Sequence, residues 1–410
     1  MAVGFILSQF PRYDEAFILR ELVELSKGEE ATVIFSLRPC RDKVVHEQAK
    51  PLQKSTVYAP FFFSADVWRS HLAFLRSTPA WYAGALGWVV SRHWKNPVVL
   101  LKSVAFFPKT VHFARIAREK GVSHLHAFWA TYPATAAVVI NRLTGIPFSM
   151  SGHAHDIYTA NPALAEKVRE ARFTLTCTEY NRGYLSRIAK NGTGDKVFVS
   201  YHGVDLERFA PAQKPGNGVC QILSVGSLLP CKGYETLIES CRILKESRFP
   251  FRCTIAGGGF LERKLRGMIR RYGLAGQMAI VGYVSQETVA DFYRQADLFV
   301  LPLVSKIHWG IPNVLIEALA SKTPVISCDL PSLRELVEHG KSGWIIPEES
   351  PEALADAVKK LWYKPALRRS LAEVGHQRVR ERFSLERTGR QLREIFQRSI
   401  GERIAAGHIE

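Results

Sequence analysis

Short apolar runs alternate with amphipathic stretches along almost the whole chain, and the alternation starts twice. Val3-Gly-Phe-Ile-Leu7 is an apolar run, bounded by the polar loop Ser8–Asp14. An amphipathic stretch over Glu15–Leu25 follows, then a second apolar run over Ala31–Ser36. Apolar runs of about 4–8 residues fit strands buried on both faces, and longer amphipathic runs fit the helices that cross between them. This reading predicts further strands at 122–126, 147–150, 173–177 and 196–199. It predicts helices at 64–77, 80–95, 97–107, 108–120, 131–143, 161–170 and 179–190. A Pro/Gly-containing connection over Asp205–Gly218 then resets the pattern. Strands are expected at 222–225, 252–256, 278–281, 298–301 and 324–327, and helices at 233–246, 260–272, 286–296, 313–321, 332–338, 351–363 and 365–381. The last expected helix, about 384–404, is basic and has no following strand, so it is free to cross to the first half.

Alternation of this kind predicts an α/β fold with two parallel sheets, each with helices on both faces. The length of 410 residues agrees with two domains. Two such sheets would face each other across a cleft, and ligands bind outside the carboxyl ends of parallel strands. A dehydrogenase, a sugar-nucleotide epimerase and a glycosyltransferase all remain open on topology alone.

Charge narrows the partners. The chain carries 55 Lys+Arg against 38 Asp+Glu, formally +17, which suits a polyanionic partner: nucleic acid, an acidic membrane surface or a phosphorylated ligand. The surplus is local. Residues 51–120 hold ten basic residues and only Asp66 and Glu119 as acids, together with Trp68, Trp81, Trp88 and Trp94. A second basic stretch covers 364–410. Aromatics and cations together suit a membrane interface, while the plainer reading makes the aromatics core and the charges a solvated face. No recognition motif accompanies the charge, so nucleic acid is disfavoured. Seven scattered cysteines without a CxxC pair suit a reducing cytoplasm. Val3–Leu7 lacks a basic leader and reads as a core strand rather than a signal peptide, and no uncharged apolar stretch is long enough to span a membrane.

Four segments could carry chemistry. Gly226 ends the first strand of the second half, and Lys232-Gly233 stands at a helix start, where a lysine and free amides favour a diphosphate. The order is not that of a P-loop. Gly257 and Gly258 follow the next strand and permit close backbone approach, without the spacing of a nicotinamide site. Pro312 fits the first turn of a helix, leaving the amides of Asn313, Val314 and Leu315 to cradle phosphate oxygens. Glu317, one turn further and among apolar neighbours, is placed to bind ribose hydroxyls. In the first half, Ser151-Gly-His153-Ala-His155-Asp156 follows an apolar strand. His153 and His155 would share a face if the strand continued, and Asp156 would cap the segment after it. Two histidines and one Asp make a weak metal site; a single histidine as donor or acid/base group is favoured. No DxD, GxSxG or HExxH occurs, which disfavours a metal-bridged sugar nucleotide and the commonest hydrolases.

Taken together, Phe17-Ile-Leu-Arg-Glu21, His124-Leu-His126, Gly152-His153-Ala-His-Asp156, Glu179-Tyr-Asn, Tyr201-His-Gly203-Val-Asp205, Lys232-Gly-Tyr and Gly310-Ile-Pro-Asn-Val-Leu-Ile-Glu317 resemble family-4 retaining glycosyltransferases of the GT-B fold, nearest the bacterial exopolysaccharide and colanic-acid type. The resemblance runs in one order over nearly the full chain. It implies two Rossmann-like domains: an acceptor-side domain over 1–205 that includes the helical region 51–120, a nucleotide-sugar domain over 206–382, and a C-terminal helix over 383–410. It implies a hexose moved with retention from a nucleotide diphosphate sugar to a glycan or lipid-linked glycan, with no metal or other cofactor. It places His153 at the donor sugar, Lys232 on the diphosphate, Glu317 on the ribose and Asn313–Leu315 at the phosphates. With the cysteine usage and the stretch 51–120 read as a membrane surface, the expected location is cytoplasmic, peripheral on the inner face of the plasma membrane. Ser227 stands where the family usually has Arg, and Trp309 where it has an acid. Lys306 or Lys322 could replace the missing charge. These departures keep a non-catalytic scaffold and a sugar-nucleotide epimerase as alternatives.

Overall fold

The computed structural model describes residues 2–12, 15–28, 31–40, 45–61, 64–190, 194–212, 218–305 and 310–406. The chain divides into two units, Met1–Ser200 with Gly389–Glu410, and Tyr201–Thr388.

The first unit runs β1 (Ala2–Leu7), α1 (Ala16–Leu25), β2 (Ala31–Ser36), α2 (Ala49–Gln53), β3 (Thr56–Tyr58), α3 (Ala65–Ser77), α4 (Pro79–His93), α5 (Pro97–Glu119), β4 (Val122–Ala127), α6 (Tyr132–Thr144), β5 (Phe148–Gly152), α7 (Ala154–Ile157), α8 (Leu164–Glu170), β6 (Thr174–Thr176), α9 (Glu179–Ala189) and β7 (Val197–Val199). The second runs β8 (Cys220–Val225), α10 (Tyr234–Glu246), β9 (Phe251–Ala256), α11 (Glu262–Arg271), β10 (Met278–Gly282), α12 (Gln286–Gln295), β11 (Leu298–Leu301), α13 (Asn313–Ala320), β12 (Val325–Cys328), β13 (Trp344–Ile346), α14 (Pro351–Tyr363) and α15 (Pro365–Arg382), and α16 (Leu385–Ala406) closes the chain.

Both sheets are parallel, ordered β3-β2-β1-β4-β5-β6-β7 and β10-β9-β8-β11-β12-β13. Every residue of β1 is buried, as a central strand covered on both faces requires. In each sheet the order reverses beside the first strand, between β1 and β4 and between β8 and β11. That reversal leaves a crevice at the carboxyl ends, since the crossovers on either side leave in opposite directions.

Three expectations need correction. The stretches 97–107 and 108–120 form one helix, α5, with Pro108 inside it. The expected helix 332–338 is only a 3-10 turn over Leu333–Glu335. Pro312 does not begin α13 but precedes it, in an extended conformation at ψ 129°. The long basic helix does cross back: from Gly389 onward α16 belongs to the first unit. Leu392, Phe396 and Ile400 are buried with Phe5, Phe128 and Phe173. All seven cysteines are free thiols.

Candidate functional site

In the second unit the predicted glycines lie where the strand order reverses. Gly226 follows β8 and Gly257 follows β9, both at φ 147°. A Cβ on Gly257 would lie 2.0 Å from the Gly226 carbonyl oxygen, so only glycine fits. Gly226 donates its amide to the Ala256 carbonyl at 3.0 Å, and the Leu228 amide donates to the Gly258 carbonyl at 3.0 Å. A side chain on Gly258 would meet the Tyr283 ring. The close approach that demands these glycines is therefore between two turns of the protein itself.

Lys232 ends a 3-10 turn over Pro230–Lys232. Gly233 follows at φ 67°, and a Cβ there would fall 1.7 Å from the carbonyl oxygen of Pro302, just past β11. The turn is thus pressed onto the end of β11, which puts Lys232 at the reversal point. Burial pulls its ammonium below the usual lysine range, with Cys231 acting weakly the other way. The turn's own amides are used within it, that of Lys232 donating to the Leu229 carbonyl at 3.0 Å and that of Gly233 to the Pro230 carbonyl at 3.3 Å.

The first residues of α13 have no helical partner four residues back for their amides. Of the three expected donors, Leu315 closes the turn on the Pro312 carbonyl at 3.0 Å and is buried, which leaves Asn313 and Val314 as the outward pair. The Asn313 side-chain oxygen meets His202 Nδ1 at 3.1 Å. Glu317 is held by the buried Tyr293, whose hydroxyl lies 3.1 Å from both the Glu317 carboxylate and the Val314 carbonyl. Burial, reinforced by the Glu317 charge, keeps that hydroxyl protonated. Lys322 sits at the far end of α13, roughly 12 Å along the axis at 1.5 Å per residue, and pairs with Glu373 at 2.7 Å. It is not placed to replace a charge at the helix start. Lys306 and Trp309 lie outside the described residues.

In the first unit β5 ends at Gly152, and His153 caps the short helix α7. His155 is therefore on a helix and exposed, whereas His153 is buried; the two do not share a face. Asp156 does not cap the segment after it. It reaches back, its carboxylate accepting the His153 amide at 2.6 Å and the Ala130 amide. Lys167, fully buried, donates to the Ala130 and Thr131 carbonyls at 2.9 and 3.1 Å and to Asn161 Oδ1 at 3.0 Å. Asp156 and Lys167 thus lock the loop after β4 to the His153 turn. Desolvation pushes the Asp156 carboxyl up to about 7 and the Lys167 ammonium down to about 7; backbone hydrogen bonds and their mutual attraction oppose it.

The His153 ring packs on Trp129 and Phe17, centroids 4.8 and 5.2 Å away. One turn along α1 from Phe17, a Glu21 carboxylate oxygen lies within 4.8 Å of a His153 ring nitrogen. Glu21 keeps some exposure as a residue, yet its carboxyl group is desolvated and pushed up to about 8, with Arg20 pulling it down. Phe17 and Glu21 belong to a recognised motif, but their role at His153 is visible only in three dimensions, as is that of Trp129. His124 and His126 sit inside the sheet, sharing the Ser149 hydroxyl at 2.8 Å each, and desolvation holds His124 down at about 3. They are neutral core groups.

Residues 207–378 match the family Glycosyl transferases group 1. The putative colanic acid biosynthesis glycosyltransferase WcaL of Escherichia coli K12 is 34% identical over 226 residues, 52% of this chain and 54% of that protein. The amylovoran biosynthesis glycosyltransferase AmsK of Erwinia amylovora is 34% identical over 215 residues, 52% of this chain and 53% of that protein. The chain spans about half the length of these curated relatives. Among solved structures, Anabaena Alr3699/HepE in complex with UDP and glucose superposes with a TM-score of 0.69 at 14% identity, over 97% of this chain and 99% of that one.

Proposed function

We propose that this chain, a GT-B fold whose second unit carries a glycosyl transferases group 1 domain, is a retaining glycosyltransferase that moves a hexose from a nucleotide diphosphate sugar to a glycan or lipid-linked glycan in bacterial cell-surface polysaccharide assembly. One observation carries the reading. A half-buried lysine and two glycine turns stand at the reversal point of the second sheet, β11 leads on from there to α13, and Tyr293 holds a carboxylate one turn into that helix. This arrangement supports an anion site with a carboxylate for hydroxyl groups beside it.

The roles follow from the chemistry. As the sugar–phosphate bond breaks, negative charge grows on the leaving diphosphate. Lys232 and the amides of Asn313 and Val314 stabilise that charge, and the stabilisation lowers the barrier because it is stronger in the transition state. Glu317 binds the ribose hydroxyls in the direction that Tyr293 fixes. His153 contacts the transferred sugar, its ring held by Trp129 and Phe17. The diphosphate is neutralised by lysine and amides rather than by a metal on a DxD pair. The matched relatives named for colanic acid and amylovoran biosynthesis support the polysaccharide role. A lipid-linked acceptor would be met at the cytoplasmic face of a membrane. Among the described residues no helix is long and apolar enough to cross one.

Lys232→Ala should lower sugar-nucleotide turnover by roughly 100- to 1,000-fold, the usual cost of one lost charge-stabilising donor. Steady-state release of nucleoside diphosphate from UDP and GDP sugars measures it. Unchanged turnover would remove Lys232 from the site.

A further inference from the structure

The basic-aromatic stretch splits into two populations. Phe74, Trp88, Phe107 and Phe113 are core. Trp88 even donates its indole N–H to Glu166 at 2.8 Å. Trp68, Trp81 and Trp94 are 56%, 64% and 61% exposed, and Leu101 is 72% exposed. Single exposed apolar residues need no explanation; several on three mutually packed helices do.

Helix geometry organises them. On α3, Trp68, Leu72 and Leu75 recur at i, i+4 and i+7 and form one stripe, away from the buried Val67, Ser70 and Phe74. On α5, Val98 and Leu101 share a stripe opposite the buried Ser103, Phe107 and Thr110. Basic residues lie on or next to the same three helices. Of these, Arg69 is paired with Asp66 at 3.1 Å and Arg92 with Glu166 at 2.5 Å. Arg76, Lys95 and Lys102 are exposed and have no carboxylate partner among the described residues. Lys95 lies over the Trp94 ring at 5.8 Å.

We propose that α3, α4 and α5 form a docking face for an anionic phospholipid bilayer. The exposed Trp and Leu residues seat at headgroup level, and Arg76, Lys95 and Lys102 meet lipid phosphates. Indole rings favour that boundary because they are apolar with one polar edge, and each cation gains from a negative surface potential. Charge complementarity selects this occupant over a second copy of the chain. Two copies meeting face to face would oppose cation to cation, with Asp66 the one exposed acid on α3 and α4 and already paired. The inference rests on the reading of a membrane-presented acceptor, but its readout is lipid binding and not transfer.

The test is flotation of the full chain with vesicles of phosphatidylcholine alone and of phosphatidylcholine with phosphatidylglycerol. Binding to the mixed vesicles should be at least about tenfold tighter. Trp94→Ser with Leu101→Ser, and separately Lys95→Glu with Lys102→Glu, should each weaken it by about tenfold or more. Circular dichroism checks folding, and the charge-reversed variant, which touches no buried residue, keeps the test decisive if the first fails to fold. Equal binding by parent and both variants, or no preference for phosphatidylglycerol, overturns the proposal. So does a dimer in sedimentation velocity that the Trp94/Leu101 variant dissolves, which would make the face an interface between copies. Turnover of sugar nucleotide without lipid binding sinks the docking face alone; lipid binding without turnover sinks the transferase reading alone.

Discussion

Glu21 pays a cost for standing beside His153. Its carboxyl is raised to about 8 in the folded chain from an ordinary value of 4.5, because burial penalises the charged form. Between those values the folded state holds a proton that the unfolded state has released, so stability falls as pH rises through the window. Glu21→Gln removes that dependence. Relative to the parent, the variant should gain stability from about pH 5 to about pH 8, read from urea midpoints. Parallel pH profiles for the two proteins would show that the carboxyl is not desolvated. The position of Gly226 and Lys232 at one sheet edge was legible, because each follows or faces the end of a strand that the apolar pattern marks. The reason for Gly257 was not legible. Its Cβ is excluded by the Gly226 carbonyl, a contact between turns thirty-one positions apart. The reversal of Asp156, from cap of the next segment to brace of the previous one, likewise depends on Ala130, which spacing cannot bring near.

At the scale of elements, periodicity located the long strands and helices because burial on two faces or one leaves a repeating pattern. It failed where the pattern is short or interrupted. β3 and β13, three-residue edge strands that are mostly half-buried, leave little pattern, whereas the equally short β6 is buried throughout and was legible. Pro108 marked a break in α5, since proline removes one amide from the ladder. The helix continues because tertiary packing holds both sides: Phe107, Thr110 and Val111 are buried around the proline, and the Thr110 hydroxyl donates to the Phe106 carbonyl at 2.9 Å. Its start is fixed more sharply. Asn96 Oδ1 accepts the Val99 amide at 3.2 Å. Asn96→Ala should cost about 1 kcal/mol, the usual value of such a cap, in a denaturant titration. A change near zero would mean that packing alone sets where α5 begins.

At the scale of the molecule, the sheet of the first unit is finished by a helix from the other end of the chain. The Phe396 ring lies 4.9 Å from His126 and 5.2 Å from Phe173, with Leu392 and Ile400 buried one turn to either side. Phe396→Ala should destabilise the first unit by about 3–5 kcal/mol, as expected for an aromatic removed from a packed core. Hydrogen exchange in β1 and β4 would report it, and an unchanged exchange rate there would mean that α16 is not part of that core. That the helix returns was legible from its lack of a following strand; which face it covers was not. The arrangement also sets an order of events at the ribosome. Residues 201–388 are translated before Leu392, Phe396 and Ile400 exist, so Phe5, Phe128 and Phe173 wait uncovered throughout that interval. The first unit is begun before the second and completed after it, and for that period its bare aromatic face is what a chaperone would find.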